Sequence, residues 1–142
     1  MEKMEVETVL VAALLAGNCM QDIRRREIFF LPTLLTGVAG ICVHFAEGRA
    51  SSIALSLLPG ILLLLCSFAT RGAIGGGDAV LTAAVGAWTG FPEITVTVIL
   101  ALALVPAAAW LFRAAGKRRK ELPFVPFILA GWLLIRLFTI AA

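Results

Sequence analysis

Two aspartates, Asp22 and Asp78, are the residues of this 142-residue chain whose type and setting could do chemistry. Asp22 closes an apolar run in the stretch Gln21-Asp22-Ile23-Arg24-Arg25-Arg26-Glu27-Ile28, and Asp78 follows Gly75-Gly76-Gly77 and opens another such run. An ionisable group at membrane depth is a functional-site candidate by default. Two carboxylates held close together cannot both ionise easily and tend to share a proton. One then takes a proton from water while the other protonates or polarises a carbonyl. This is attack of water on a carbonyl by general acid and base, and it needs no metal, cofactor, serine or thiol. Asp78 is expected to be the ionised member, because a helix amino terminus favours negative charge there, and the pair should titrate as one unit. The glycines before Asp78 have no Cβ and permit a close approach by another backbone. Taken singly, Asp22 reads equally well as an interfacial charge beside three arginines, and a glycine triplet as a flexible connection.

The elements that must position these acids are read from hydropathy. Hydrophobic residues make up 61% and charged residues 15% of the chain, with a mean hydropathy of +1.00, whereas a soluble domain carries roughly a quarter charged residues. Six apolar stretches stand out, near Val6–Met20, Ile28–Phe45, Ser51–Thr70, Ala79–Gly90, Ile94–Phe112 and Phe124–Ala141. No alternating barrel pattern is present, so the expected fold is all-α: one polytopic domain, residues 1–142, of about six transmembrane helices. The fourth stretch is the informative one. At twelve residues it makes about 18 Å of helix, too little to cross a bilayer alone. Asp78 and the glycines are therefore expected below the membrane surface, lining a wet cavity inside the bundle.

Orientation follows from the basic residues. Arg24 to Arg26, then Arg71, then Arg113 and Lys117 to Lys120 fall in alternate connections, which places those connections and both aspartates on the cytoplasmic side of a cell membrane and both termini outside. The Lys117-Arg118-Arg119-Lys120 run is read as a topology signal more than a lipid-headgroup contact. Arg136 is expected to snorkel to the outer surface, and Pro59 and Pro106 to kink their spans. Small-residue segments, AALLAG, TGVAG and ALALVPAAA, would let helices pack closely.

Several function classes are excluded. The basic residues are not interleaved with aromatics on a polar face, so nucleic acid is not a partner. Cys19, Cys42 and Cys66 lack metal-ligand spacing and read as packing residues, and the single histidine, His44, as a packing or interface residue. No phosphate-binding glycine motif occurs. The acidic start, MEKMEVE, does not resemble a cleaved signal, so the first span is expected to be retained.

The residues together resemble the type IV prepilin peptidases and their archaeal preflagellin relatives. Gly75-Gly76-Gly77-Asp78 is similar to their G-x-G-D signature, in which Gly75 and Gly77 are the fixed glycines. Asp22-Ile23-Arg24 through Ile28 resembles their D-x-R-x-x-x-I motif, with Arg24 as its arginine. Lys117 to Phe127 resembles a basic cluster leading into Pro-Phe-x-Pro-Phe. Departures are Phe29-Phe30 where Pro-Asn is common, Val80 where Lys is common, and Val125 where Gly is frequent. The resemblance implies that Asp22 and Asp78 are catalytic, with no cofactor. It implies cleavage, at the cytoplasmic face, of the short basic leader of a prepilin or pilin-like precursor. The paired C-x-x-C motifs of larger, methylating members are missing from this sequence, so methylation is not implied. Two other classes compete. A small proton- or cation-coupled transporter subunit would show interrupted helices in two matching halves, and only one such segment is visible; in a structural subunit the acids would serve assembly.

Overall fold

The computed structural model describes residues 2–72, 75–117 and 121–142. Its six helices are α1 (Glu2–Arg25), α2 (Phe30–Ala46), α3 (Ala50–Ala69), α4 (Gly76–Thr89), α5 (Phe91–Ala114) and α6 (Val125–Ala141), and the described residues contain no strand. Most of the Lys117 to Lys120 run lies outside the described residues. Helix α1 outruns its apolar stretch at both ends. Glu2 and Glu5 stand in its first turn and Arg24 and Arg25 in its last, each sign complementing the helix dipole. Arg26 adopts a left-handed φ of 56° and turns the chain out of α1.

Helices α1, α3 and α5 are long and apolar enough to cross a membrane, while α2 and α6 are shorter apolar helices of 17 residues. Large apolar side chains such as Leu35, Leu62, Leu65, Ile99, Leu137 and Ile140 point outward from five of the six helices. Water would not tolerate that surface; lipid covers it. The protein is a multi-pass membrane bundle.

The shortest helix, α4, has 14 residues and forms the centre. Ala79, Leu81, Thr82, Ala84, Val85, Gly86 and Ala87 are all buried in it. The other helices can approach so closely because small residues meet at the crossings. A Cβ on Gly37 of α2 would lie 3.1 Å from Ala84 Cβ, and one on Gly60 of α3 would lie 2.7 Å from the Ala83 backbone nitrogen. Gly86 of α4 faces the Ser56 carbonyl in the same way, and Gly131 of α6 faces the Thr97 carbonyl of α5. TGVAG therefore acts as expected, through Gly37 and Gly40. Gly17 of AALLAG does not, because a Cβ there would meet open space. Helices α3 and α5 continue through Pro59 and Pro106.

At the end of the bundle holding the α2–α3 and α4–α5 connections, charges are matched. Glu47 meets Lys3, Arg49 at 2.9 Å and His44 at 3.3 Å, and His44 packs edge-on against Trp88. Arg136 does not snorkel freely. Its Nε lies 3.0 Å from Glu93 Oε1 and its guanidinium sits over the Trp132 ring, because α5 and α6 pack together and bring an acid and a base into register.

Candidate active site

The opposite end holds the acids. Val11, Leu15, Asn18 and Asp22 are the buried residues of α1, and their spacing of three and four traces one helical stripe. Asp22 therefore faces the bundle although it stands one residue from solvent-exposed positions. Its exposure is 7%, whereas Arg24, Arg25 and Arg26 are exposed. Asp22 Oδ2 accepts a hydrogen bond of 3.0 Å from the Val125 backbone N–H, at the first turn of α6. The donors there are few, since Pro123 and Pro126 have no N–H. Helix α6 has no side-chain cap of its own at Phe124, so the carboxylate of α1 caps α6, where unsatisfied amides and the helix dipole favour an anion. A surface ion pair of 2.9 Å between Arg26 and Glu121 ties the same segments together outside. Arg24 projects from the exposed face and is not brought to the pair.

Asp78 lies in the first turn of α4 behind the extended Gly75, and its N–H donates to the Gly75 carbonyl at 3.1 Å. The three glycines before it have different surroundings. A Cβ on Gly75 would come 2.9 Å from Asp78 Oδ2, so the carboxylate itself occupies the space beside Gly75. A Cβ on Gly77 would come 2.9 Å from Ile28 Cγ1. On Gly76 the nearest atom would be Ser67 Oγ at 3.8 Å, an ordinary contact. The pattern glycine, any residue, glycine, aspartate thus has a steric cause. The contact at Gly77 also joins the two motifs, since Ile28 ends the stretch that begins at Asp22.

Asp22 stands in the last turns of α1 and Asp78 in the first turn of α4, and Ile28, packed beside Gly77, links the two segments. Two carboxyl groups from separate helices thus share one end of the bundle. An apolar groove of about 220 Å³ between α2 and α3, floored by α4, begins at Ala79 and Val80, directly after Asp78. Among the described residues no three His, Cys, Asp or Glu side chains converge as a metal site would require.

Sequence reading did not single out Asn18 and Thr33. Asn18 is 1% and Thr33 0% exposed. Asn18 Nδ2 donates to the Leu14 carbonyl at 2.9 Å and to Thr33 Oγ1 at 3.0 Å, while its Oδ1 accepts the Phe29 N–H at 2.8 Å. The available signal was a side-chain amide one turn before Asp22 on the same stripe.

The sequence matches the profile of the type IV leader peptidase family over residues 8–112. The chain belongs to this family. It is also 36% identical, over 137 residues, to the prepilin leader peptidase/N-methyltransferase of Burkholderia pseudomallei strain 1026b, with the same identity to that of strain K96243; each alignment covers 86% of this chain and 42% of the relative. The chain thus spans about two fifths of the length of these curated relatives. No solved structure matches it significantly. The family match takes in Asp22, Asp78, Ile28 and the glycines, but not α6, whose amide holds Asp22.

Proposed function

We propose that this leader peptidase family member is an aspartic endopeptidase that removes the short basic leader of a prepilin or pilin-like precursor, with Asp22 and Asp78 as its catalytic pair. The observation that supports the reading is that α1 and α4 bring Asp22 and Asp78 to one end of the bundle, where the Ile28 side chain fills the space beside Gly77 and joins the two motifs. Its place at a helix amino terminus favours negative charge on Asp78. The amide donor is instead on Asp22, and among the described residues no hydrogen bond reaches the Asp78 carboxyl. In the proposed mechanism Asp22 is the charged member and Asp78 holds the shared proton. A carboxylate offers about four lone-pair sites, so Asp22 accepts the Val125 N–H and still takes a proton from water. Asp78 donates its proton to the scissile carbonyl oxygen as the water oxygen bonds to the carbon. Collapse of the tetrahedral intermediate sends a proton to the leaving amine and restores the pair.

The basic connections α1–α2, α3–α4 and α5–α6 lie at the same end as the acids, which supports cleavage at the cytoplasmic face with both termini outside. The apolar groove beside Val80 offers a path along which the precursor's helix reaches the pair from the bilayer. The transporter reading gains nothing, since among the described residues α4 is the one short central helix and no second segment repeats it. We assign no methyl-transfer step to the described residues. The test is co-expression with precursors carrying a basic leader ahead of an apolar helix. A leader-sized mobility shift should appear with the wild type and vanish with Asp22→Ala and with Asp78→Ala. Cleavage by either variant at the wild-type rate would refute the pair.

A further inference from the structure

The two acids reach one place from helices that are linked by few direct contacts, so something must hold α1 and the start of α4 in register. A continuous path of contacts runs between them. The Asn18 carboxamide meets a backbone carbonyl, Leu14, on its nitrogen side and a backbone N–H, Phe29, on its oxygen side, so its orientation is determined without ambiguity. Phe29 follows Ile28, whose side chain fills the space that Gly77 leaves open. Gly77 precedes Asp78 in the chain. At the other end of the path, Asn18 stands one turn from Asp22 on the same buried stripe of α1. Thr33 ties α2 into the same node through the Asn18 amide.

We propose that Asn18 is a positioning residue that sets the separation of the two acids through the α1–α2 connection. The proposal rests on the reading of Asp22 and Asp78 as the catalytic pair. A side-chain amide in an apolar bundle is stable only when its bonds are made. The three partners of Asn18 lie on α1, α2 and the connection, and each bond adds to holding these segments together. Leucine at this position would keep the branched outline and release the connection: the Phe29 N–H would lose its acceptor, Ile28 would lose its seat against Gly77, and Asp78 would be free to shift relative to Asp22.

The experiment uses the full chain in membranes and two readouts. In a background with Cys19, Cys42 and Cys66 replaced by alanine, Asp22→Cys and Asp78→Cys are combined, and the rate of their joining by a short bifunctional thiol reagent is measured with and without Asn18→Leu or Thr33→Val. Joining should be rapid in the parent, severalfold slower with Asn18→Leu, and intermediate with Thr33→Val, which keeps the Phe29 bond. In the chain with both acids intact, Asn18→Leu should lower kcat for leader removal by about ten- to a hundredfold and leave KM unchanged. Thr33→Ser, which retains the hydroxyl, should behave as wild type. Unchanged joining rates in both variants would overturn the proposal, as would failure of the parent pair to join at all. If Asn18→Leu does not accumulate, Thr33→Val carries the same comparison. Slower joining combined with full cleavage by Asp78→Asn would leave the positioning role standing and remove the catalytic pair.

Discussion

The two ends of the bundle treat charge in opposite ways. At the end holding the α2–α3 and α4–α5 connections, Glu47 gathers Lys3, His44 and Arg49, and Glu93 faces Arg136. The other end holds the two acids, Asp22 and Asp78. Arg24 and Arg25 point to the exposed face, and Arg26 reaches Glu121 on the surface. Opposite charges brought together hold helices in place. Two carboxyl groups placed near each other in a bundle do little to hold it together, and such pairs cluster at functional sites. On the proposed function, the acid end is the working end and the paired end is scaffold.

That contrast can be broken most sharply at the acids themselves. Asp22→Asn and Asp78→Asn should each reduce leader cleavage by roughly a thousandfold or more, while the protein accumulates in membranes as wild type; a gel assay of cleavage with quantification of the membrane-bound chain measures both. Loss of accumulation would assign the acids to assembly.

The glycines sharpen the comparison within the working end. Gly75→Ala should accumulate normally, because the atom in its way is a movable carboxyl oxygen, yet cleave about tenfold more slowly, since displacing the carboxyl disturbs the reacting geometry. Gly76→Ala, whose Cβ would have among the described residues Ser67 Oγ as its neighbour at 3.8 Å, should match wild type in both respects. Equal activity of the two variants would show that Asp78 does not act from its present position.

At the scaffold end the expected effect is on stability alone. Glu93→Ala leaves Arg136 without its acid in a setting where the two side chains are only 20% and 22% exposed. It should cost about 3 kcal/mol, seen as a lower unfolding midpoint in detergent, with kcat of the surviving fraction unchanged. Replacing Glu93 and Arg136 together by Gln and Met should recover most of that loss. The smallest effect is expected for Arg26→Gln. Its ion pair with Glu121 is exposed on both sides and contributes less than about 1 kcal/mol, so the midpoint in detergent should barely move.

Much of this protein can be read in the sequence. The six apolar runs follow from the length of apolar helix that a bilayer demands, and the observed helices begin and end within a few residues of most of them. The brevity of the fourth run already implies a short central helix, since twelve residues cannot cross alone. The two aspartates and their glycines stand out because charge and missing side chains are rare in such a composition. These features are local, and local features are encoded in neighbouring residues.

What joins distant parts of the chain was decided by the fold. Nothing near Asp22 in the sequence indicates that its carboxylate caps a helix 103 residues further on, or that Ile28 fills the space beside Gly77. The same holds for Asn18 and Thr33, and for Glu93 facing Arg136. Each depends on how far every helix is rotated and how deeply it is seated. Those quantities emerge only when all six helices pack at once, because a rotation of one helix exchanges its whole buried stripe for another.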